Sequence, residues 1–461
     1  MKRHLALFCL AALTACGPSG GQADDDDTAD GGAVDDADHD DFTTEEGDCD
    51  DSDPDVNPDA DDDTCDNKDN DCNGVIDDAF NADHDTATSC NGDCDDSNPQ
   101  RYPGATELPN DIDDDCDGIV DNHTDSYDDD GDGYSEEMGD CNDEEKLIGP
   151  ESVEVATTLD DGGNEIPEGI DNDCDGVTDE ALEPCDTGLN RTVDTDYPKA
   201  MELCDWVQGT QFVQSPDPSA RNILPDFGTY QPHAGASVVT LSTGRAVDAA
   251  GPGYVNPGGI GGGTGFSNSA PHPLPQPDPG DGCGSADPPT VQDYTELKYT
   301  IKVPPNASSL AFDFNFMSGE FPQFVCSPFD DTFLAILSST SFNGNISFDE
   351  QMRPVTINIG FFDVCQPAQG PNCVSNAELS TSGFEAYGGT GWLHTVAPVT
   401  GGETITLRFT LHDEGDNVLD SLVLMDNFSW GVEPVDGPVT IPRELAPGLH
   451  RQLRERMLAR E

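Results

Sequence analysis

The segment DNDCDGVTDE (residues 171–180) places five acidic residues within ten positions and sets them around a cysteine and a glycine. Oxygen-bearing side chains at alternate positions of a tight loop can converge on one cation, and a glycine at the sixth place lets the backbone turn sharply, as in calcium loops. Asp171, Asp173 and Asp175 would supply the first three ligands, and Asp179 would close the shell. The segment therefore predicts a cation site, whereas a solvated acidic loop needs no such order.

The same loop occurs three times, as DNDCNGVIDD from Asp69, DDDCDGIVDN from Asp113 and the segment quoted above. We call these the second-half loops. Their predicted metal ligands are Asp69, Asp71, Asn73 and Asp77 in the first copy, Asp113, Asp115, Asp117 and Asp121 in the second, and Asp171, Asp173, Asp175 and Asp179 in the third.

A second acidic pattern precedes each of these loops, with Asp or Asn at positions 1, 3, 5 and 13 and a cysteine directly after position 13. We call these the first-half loops. Their predicted ligands are Asp36, Asp38, Asp40 and Asp48; Asn81, Asp83, Asp85 and Asp93; and Asp128, Asp130, Asp132 and Asp140. The paired loops recur about every 45 residues, with an insertion in the third copy around ESVEVATTLDDGGNE, and such shared spacing indicates repeated architecture.

The ligand chemistry favours several calcium ions. Calcium accepts six to eight oxygen ligands in irregular geometry, magnesium demands a stricter octahedron, and zinc or copper calls for nitrogen or sulfur. The three histidines of the region, His39, His84 and His123, do not occupy a common place in the repeat. Copper therefore fits less well than calcium. The alternative is a solvated acidic tract of low complexity.

Sixteen cysteines are present, and removing Cys9 and Cys16 of the N-terminal segment leaves fourteen, an even number without any CxxC pair. Exported chains with such cysteines form disulfides, and small domains that bury little apolar surface rely on disulfides and metals. The natural partners within each repeat are Cys49 with Cys72, Cys94 with Cys116, and Cys141 with Cys174, which leaves Cys65 and Cys90 to bridge the first two repeats. Sequence alone does not fix this connectivity.

Two segments, GDCDDSDPDVNPDADDDTCDNKDNDCNGVIDD and GDCDDSNPQRYPGATELPNDIDDDCDGIVDN, resemble the metal-binding repeat of bacterial surface proteins that is named after a methanotroph copper-binding protein. DDDGDGYSEE is similar to the calcium loops of thrombospondin type-three repeats. The resemblance covers residues 36–180 and implies metal binding at the cell surface.

From about residue 184 the acids thin out, and alternating apolar runs separated by Gly, Pro and Asn predict β-strands. The runs are LAFDFNFM, DTFLAILSS, VTINIGFF, TITLRFTLHD and SLVLMDNFSW. One early helix is predicted at YPKAMELCDW, between the cysteines Cys185 and Cys204, which we expect to pair. The fold class is therefore mainly β: cysteine-stapled, metal-dependent repeats with little regular structure, followed by a jelly-roll-like β-sandwich.

VVTLSTGRAVDAAGP, FNFMSGEFPQFVCSPFDDTFLAIL and LRFTLHDEGDNVLDSLVLMDNFSW resemble the bacterial choice-of-anchor L domain over residues 185–432. The resemblance implies a secreted or surface-held β domain without established enzymatic activity. Where that family has SEEYPE this chain has SGEFPQ, so a ligand role at this point depends on Glu320 alone.

The acids of this domain predict turn caps, with one calcium site as the alternative. They are Asp330, Asp331, Asp413, Asp416, Asp420 and Asp426. His394 and His412 are interpreted as hydrogen-bonded strand residues. The chain contains no Gly-x-Ser-x-Gly, His-Glu-x-x-His or Cys–His arrangement in a supporting context, so we predict that it is not an enzyme, with a secreted hydrolase as an alternative.

The N-terminus MKRHLALFCLAALTACGPSGG has a basic start and a short apolar run, which is typical of a signal peptide over residues 1–15. LTAC resembles the lipoprotein processing box and implies that Cys16 carries a lipid anchor, with outer-membrane or cell-surface localisation. Residues 16–35 predict a disordered acidic tether. Residues 436–461 are basic and predict a helical tail that docks on anionic lipid or frays.

The predicted domains are the signal peptide, the tether, the repeats over residues 36–183, the β domain over residues 184–435 and the tail. The net charge of −76 excludes nucleic acid as a partner. The expected function is a lipid-anchored surface protein whose calcium-stiffened stalk presents a β domain to an extracellular protein or polysaccharide. The alternative in another class is a protein that sequesters copper or calcium.

Overall fold

The computed structural model describes residues 36–61, 65–77, 80–155, 157–159, 165–180, 184–213, 217–258, 263, 265–266, 268–274, 283 and 288–446. The predicted signal peptide, Cys16, the tether and the tail beyond residue 446 lie outside these residues. The chain divides after Asp121 into two compact units, and the third repeat belongs to the second of them. No helix in the described part of the chain is long and apolar enough to cross a membrane.

The first unit contains turns and one short 3-10 helix, Ser89–Asn91, in its described residues. Its buried apolar side chains there are Val56 and Ala87, so hydrophobic burial contributes little. Three disulfides hold it instead, Cys49–Cys72, Cys65–Cys90 and Cys94–Cys116. These pairings are confirmed as the sequence predicts them, including the bridge between the first two repeats.

The second unit begins with the third repeat, which contains the 3-10 helix Glu136–Met138, the predicted disulfide Cys141–Cys174 and an antiparallel hairpin in the insertion. Asn306 of the β domain connects to this repeat, because its amide group accepts from the Val153 N–H and donates to the Val153 carbonyl, both at 2.8 Å. The third repeat is thereby hydrogen-bonded to the β domain through a buried side chain.

The regular elements of the second unit are one helix and fifteen strands in the described residues. They are β1 Thr157–Leu159, β2 Glu165–Pro167, α1 Asp196–Lys199, β3 Val207–Val213, β4 Arg221–Leu224, β5 Val238–Ser242, β6 Ser269–Pro271, β7 Thr290–Lys302, β8 Ser309–Ser318, β9 Thr332–Ser338, β10 Asn343–Asn345, β11 Val364–Cys365, β12 Gly388–Pro398, β13 Thr404–Asp413, β14 Ser421–Gly431 and β15 Val439–Pro442.

Two antiparallel sheets form the β domain. One has the order β10-β9-β13-β7-β3 with β6 beside β7, and the other has the order β11-β12-β8-β14-β5-β4 with β15 beside β12. Their facing side chains form one apolar core, in which Phe314 packs on Phe333 with ring centroids 4.8 Å apart and Phe312 on Phe409 at 5.1 Å. The prediction of a mainly β chain with a β-sandwich is confirmed.

Strand β8 is buried on both faces. The predicted inward set Leu310, Phe312, Phe314 and Phe316 lies in the core between the sheets. On the opposite face, Met317 belongs to a smaller apolar cluster with Phe227, Tyr230, Leu379, Phe384, Leu422 and Leu424. Asp313 also lies on this covered outer face by strand alternation, which places a carboxylate in a dry environment.

Two local predictions are wrong. VTINIGFF forms turns with an isolated bridge at Val355, although Val355, Ile357 and Ile359 are buried. Side chains replace ladder partners here, because the Thr356 hydroxyl accepts the Asn358 N–H at 3.0 Å. The predicted helix YPKAMELCDW shrinks to the four residues of α1, since Glu202 adopts a left-handed backbone with φ 63°. The expected Cys185–Cys204 bridge is confirmed.

Two further disulfides, Cys283–Cys326 and Cys365–Cys373, complete the pairing of the fourteen cysteines outside the N-terminal segment. The sequence pattern predicts no partners for these four residues. Cys365 ends strand β11, and the other three lie between strands of the β domain.

Candidate metal centres and a groove on the β domain

The three first-half loops share one hydrogen-bond pattern. The carboxylate at position 13 accepts the backbone N–H two residues later at 2.8 Å in each copy, through Asp48, Asp93 and Asp140. The carboxylate at position 5 does the same at 2.8, 2.6 and 2.8 Å in the first, second and third copies. One oxygen of each carboxylate thus fixes the loop, and the other oxygen is directed elsewhere.

At positions 3, 5 and 13 of each first-half loop, the Oδ2 atom of the carboxylate is buried and accepts no hydrogen bond from any described residue. These atoms are Oδ2 of Asp38, Asp40 and Asp48 in the first copy, Oδ2 of Asp83, Asp85 and Asp93 in the second, and Oδ2 of Asp130, Asp132 and Asp140 in the third. Ligand oxygens of Asp36, Asp38 and Asp40, and of Asp83, Asp85 and Asp93, lie within 4.8 Å of one another. The structure therefore brings together three of the four predicted ligands in the first copy and three of the four in the second.

Convergence of these carboxylates disfavours their ionised forms. Burial, followed by the charges of Asp40, Asp48 and Asp36, raises the pKa of Asp38 above its usual value. Burial and neighbouring acids likewise raise the pKa of Asp93, Asp130 and Asp140. A divalent cation would reverse this penalty, and a set of oxygen atoms without nitrogen or sulfur fits calcium.

One first-half acid escapes the sequence analysis. Asp143 is buried, its Oδ2 accepts the Asp129 N–H at 3.2 Å, and its Oδ1 makes no hydrogen bond among the described residues. Burial and the nearby carboxylates of Glu136 and Asp129 raise its pKa to about 6. Asp51 and Asp96 occupy the same place in the other copies and accept the equivalent backbone N–H, so position 16 of the pattern was a recurring signal.

The second-half loops have the sharp turn that the sequence predicts. Gly74, Gly118 and Gly176 have φ of +95°, +95° and +93°, a region that glycine tolerates best. Their N–H groups donate to Oδ2 of Asp69, Asp113 and Asp171 at 2.9, 3.1 and 2.9 Å. The opposite oxygens of Asp113 and Asp171 are buried without a hydrogen bond among the described residues.

The last predicted ligand of each second-half loop is hydrogen-bonded to the segment before the loop. Asp121 accepts the Asn110 N–H at 3.0 Å and Asp179 the Gly169 N–H at 2.9 Å, so both carboxylates are hydrogen-bonded to the segment before the loop. Asp77 accepts the Asp66 N–H at 3.3 Å in the same manner. The closing position thus anchors the loop to its neighbour in every copy.

In the second and third repeats, a glutamate that the sequence pattern did not identify also approaches the second-half loop. Glu107 accepts the N–H groups of Asp115 and Asp121 at 2.6 and 2.9 Å, and one of its oxygens lies within 4.8 Å of Asp113 and Asp115 oxygens. Glu154 of the third repeat accepts the N–H groups of Asn172 and Asp179, both at 2.8 Å. Both glutamates stand thirteen residues after the first-half cysteine, a spacing that could have identified them.

A groove lies on the outer face of the second sheet of the β domain. Two adjoining cavities of about 770 and 540 Å³ share His233, Glu378 and Trp392 in their walls. The His233 ring lies 4.4 Å from the Trp392 ring, and Tyr230 and Phe361 add aromatic surface. The groove therefore combines aromatic faces with charged and hydroxyl groups, as small-molecule sites commonly do.

Asp313 lies beneath this groove and is fully buried. Its carboxylate oxygens are hydrogen-bonded to three side chains: His233 Nδ1 at 2.8 Å, His394 Nδ1 at 2.7 Å and Arg443 Nε at 2.6 Å. Burial raises the pKa of Asp313, but hydrogen bonds from His233 and His394 outweigh it and hold the pKa well below its usual range. The interpretation of His394 as a hydrogen-bonded strand residue is confirmed.

Two family models match the chain. Residues 48–78, 93–122, 140–162 and 161–180 match the model Cu-binding_MopE, described as "Putative metal-binding motif". Residues 211–431 match the choice-of-anchor L domain. The resemblances to the metal-binding repeat and to the choice-of-anchor L domain are confirmed. No curated protein matches the chain.

Among solved structures, that of TmCBM61 in complex with beta-1,4-galactotriose is similar at 10% identity, covering 50% of this chain and 92% of that chain with a TM-score of 0.21. A likeness at this TM-score supports no conclusion about fold or ligand.

Proposed function

We propose that this protein is a lipid-anchored cell-surface protein whose acidic repeats bind several calcium ions and form a stiffened stalk for an interaction domain. The match to the choice-of-anchor L domain supports a place at the cell surface, and the matches to the metal-binding motif support metal sites in the repeats. Neither model describes a catalytic domain, and we assign the chain no enzymatic role.

The observation that carries the metal assignment is the set of buried carboxylate oxygens at positions 3, 5 and 13, which recurs in all three first-half loops. A protein leaves such groups without hydrogen bonds at a cost of several kcal/mol unless something else neutralises them. Oxygen ligands in this number and in flexible loops favour calcium over zinc and copper, and the histidines His39, His84 and His123 stay outside the shared ligand positions.

The Asp173→Ala variant tests the independence of the sites. Asp173 belongs to the third second-half loop, where burial and the charges of Asp175, Glu154 and Asp171 raise its pKa. Calorimetric titration of the full chain with calcium should show one bound ion fewer than in the wild type, because each other loop keeps its own ligands. Sites of extracellular modules bind in the ~10⁻⁴ to 10⁻³ M range.

The matched control is Glu144→Ala, which removes an exposed acid of the same repeat outside both loops. Its calcium stoichiometry should equal that of the wild type. Loss of every site in Asp173→Ala would show one coupled cluster, and a stronger response to copper than to calcium would favour metal sequestration.

For the β domain, we propose that the groove at Trp392 binds an extracellular polysaccharide. A partly buried tryptophan offers a flat face for sugar rings, and Glu378, Asp363 and Arg443 supply hydrogen-bonding groups beside it. Trp392→Ala should abolish binding to a panel of immobilised polysaccharides. Met352→Ala, which removes an apolar side chain that is 54% exposed and does not line the groove, should leave binding unchanged. Equal binding by Trp392→Ala and wild type would refute this site.

A further inference from the structure

The end of strand β13 carries charged side chains on two opposite faces. On the outer face, Glu414 Oε1 lies 3.4 Å from Nε2 of His272 and 3.4 Å from Nε2 of His412, and accepts the Thr332 hydroxyl at 3.0 Å. Burial raises the pKa of Glu414, but these two histidines outweigh it and lower the pKa to about 2. The charge of Glu414 is thus compensated by neighbouring groups.

The inner face is different. The ladder of β13 and β9 pairs His412 with Thr332, so the next step of the same register sets Asp413 opposite Asp331. Both carboxylates are fully buried and continue the inward rows that contain Leu411 and Phe333. Like charges directly opposite each other on one face of a sheet destabilise it.

Hydrogen bonds relieve this pair only in part. In the described part of the chain, Oδ1 of Asp331 and both oxygens of Asp413 have no hydrogen-bond partner. Oδ2 of Asp331 accepts the hydroxyl of Thr243, which belongs to the segment after β5 in the opposite sheet, at 3.4 Å. Asp413 is therefore a fully buried carboxylate whose two oxygens accept no hydrogen bond in the described part of the chain. Such a group destabilises the fold unless a cation neutralises it.

Further acids complete the cluster. Glu320 is 1% exposed and accepts the Asp331 N–H at 3.0 Å. Asp420 is buried beside Gly244, where an added Cβ would lie 2.0 Å from an Asp420 oxygen, so the chain keeps this place free for the carboxylate. Burial, together with the mutual charges of these acids and the charge of nearby Asp416, raises the pKa of Glu320, Asp331 and Asp413 well above the usual range.

In the described part of the chain, no lysine, arginine or histidine compensates the cluster. Among the described residues, every ion pair of a lysine, arginine or histidine goes to other acids, and none goes to Glu320, Asp331 or Asp413. The contrast with Asp313, which is equally buried but has two histidines and an arginine, shows how the domain neutralises a buried acid elsewhere.

We propose that Glu320, Asp331 and Asp413, with Asp416 and Asp420 beside them, bind one calcium ion between the two sheets of the β domain. The donors are carboxylate oxygens without nitrogen or sulfur, which suits a hard cation with a high coordination number. Asp426 of the sequence prediction is not part of this site, because its carboxylate accepts the backbone N–H groups of His233, Ala234 and Asn427.

The ion would tie the two sheets together. Asp331 and Asp413 lie at the ends of β9 and β13 in one sheet, whereas Asp420 precedes β14 of the other, and Glu320 follows β8 of that sheet. Metal binding at this place therefore adds to the folding free energy of the β domain. This site is separate from the repeats, and its failure would leave the assignment of the repeats untouched.

The full chain allows a selective test because its three tryptophans, Trp206, Trp392 and Trp430, all lie in the β domain. Thermal unfolding followed by tryptophan fluorescence should shift to higher temperature when calcium replaces chelator. In the Asp331→Asn, Asp413→Asn double variant the calcium-induced shift should disappear. The same variant should unfold in chelator at a temperature equal to or above that of the wild type, since two opposed charges are removed.

The control is the Asp130→Asn, Asp140→Asn variant of the third repeat, because Asn306 links that repeat to the β domain. It should lose calcium from the repeat and retain the calcium-induced shift of the tryptophan transition. The proposal is overturned if the wild type shows no calcium-induced shift. That result is expected if Asp331 and Asp413 share a proton and bind no metal ion. A double variant that keeps the shift, or that unfolds below the wild type in chelator, would overturn it as well.

Discussion

Transfer of the protein from calcium to a chelator should expand the repeats and abolish their fixed loop structure. The first-half loops of the first two repeats each hold three carboxylates whose oxygens lie within 4.8 Å of one another, and the described residues of the first unit bury little apolar surface to oppose their repulsion. The three disulfides of that unit keep the loops closed, so the expected change is a swollen chain and not a fully extended one.

The expected magnitude is large. A ligand at 100 times its dissociation constant stabilises the folded form by about 2.7 kcal/mol per site. Several sites that each contribute this amount exceed the whole stability of a small domain, which is of the order of 5–15 kcal/mol. Removing calcium should therefore shift the repeats from mainly ordered to mainly disordered.

Small-angle scattering of the full chain in calcium, in magnesium and in chelator checks this prediction, with circular dichroism on the same samples. Added monovalent salt in chelator is the control, because it screens repulsion without supplying specific ligands and should reverse only part of the expansion. Identical scattering profiles in calcium and in chelator would contradict the assignment of the acids as calcium ligands.

The second large effect concerns the anchor: Cys16→Ser should release the protein from the membrane fraction. A serine hydroxyl cannot form the thioether that carries the lipid, and several acyl chains on one residue make a stable anchor where a single chain is marginal. Cys16 lies outside the described residues, and the fourteen cysteines beyond the N-terminal segment are paired with each other, so the stability of the two compact units should stay unchanged.

The rival source of membrane affinity is the basic tail, which has five arginines from Arg443 to Arg460, of which Arg443 is paired with Asp313. Each of the other four would contribute about 1 kcal/mol near an anionic surface, and salt weakens this attraction. Fractionation of Cys16→Ser at low and high salt separates the two sources. Retention in the membrane fraction at high salt would rule out Cys16 as the anchor.

The sequence by itself determines the repeats to a large extent, because their interactions are local. The predicted ligands of a first-half loop lie within thirteen residues, and the turn of a second-half loop follows from one glycine, as φ near +95° at Gly74, Gly118 and Gly176 shows. The three disulfides within the repeats join the partners that the repeat pattern suggests, although the sequence alone does not fix the connectivity. Glu107 and Glu154 were missed because a single acid outside the dense pattern is inconspicuous, although its spacing recurs.

The β domain shows the limit of local patterns. Alternating apolar residues correctly predict β8, β9, β13 and β14, because a strand between two packed layers needs that alternation. The same pattern fails at VTINIGFF, where burial is achieved in turns whose hydrogen bonds come from side chains. Apolar periodicity thus indicates which residues are buried. The backbone conformation depends on whether a neighbouring strand or a side chain supplies the hydrogen-bond partners of the backbone.

Only the tertiary structure decides which buried acids are compensated. Asp313 meets His233, His394 and Arg443 from distant parts of the chain, whereas Asp331 meets Asp413 across a strand pair. The sequence pattern does not distinguish Asp313, Asp331 and Asp413, because each is an aspartate within or at the end of a predicted strand. Their charge states depend on strand register and on the packing of two sheets, since a carboxylate responds to the few groups within several ångströms of it, and folding alone determines which groups those are.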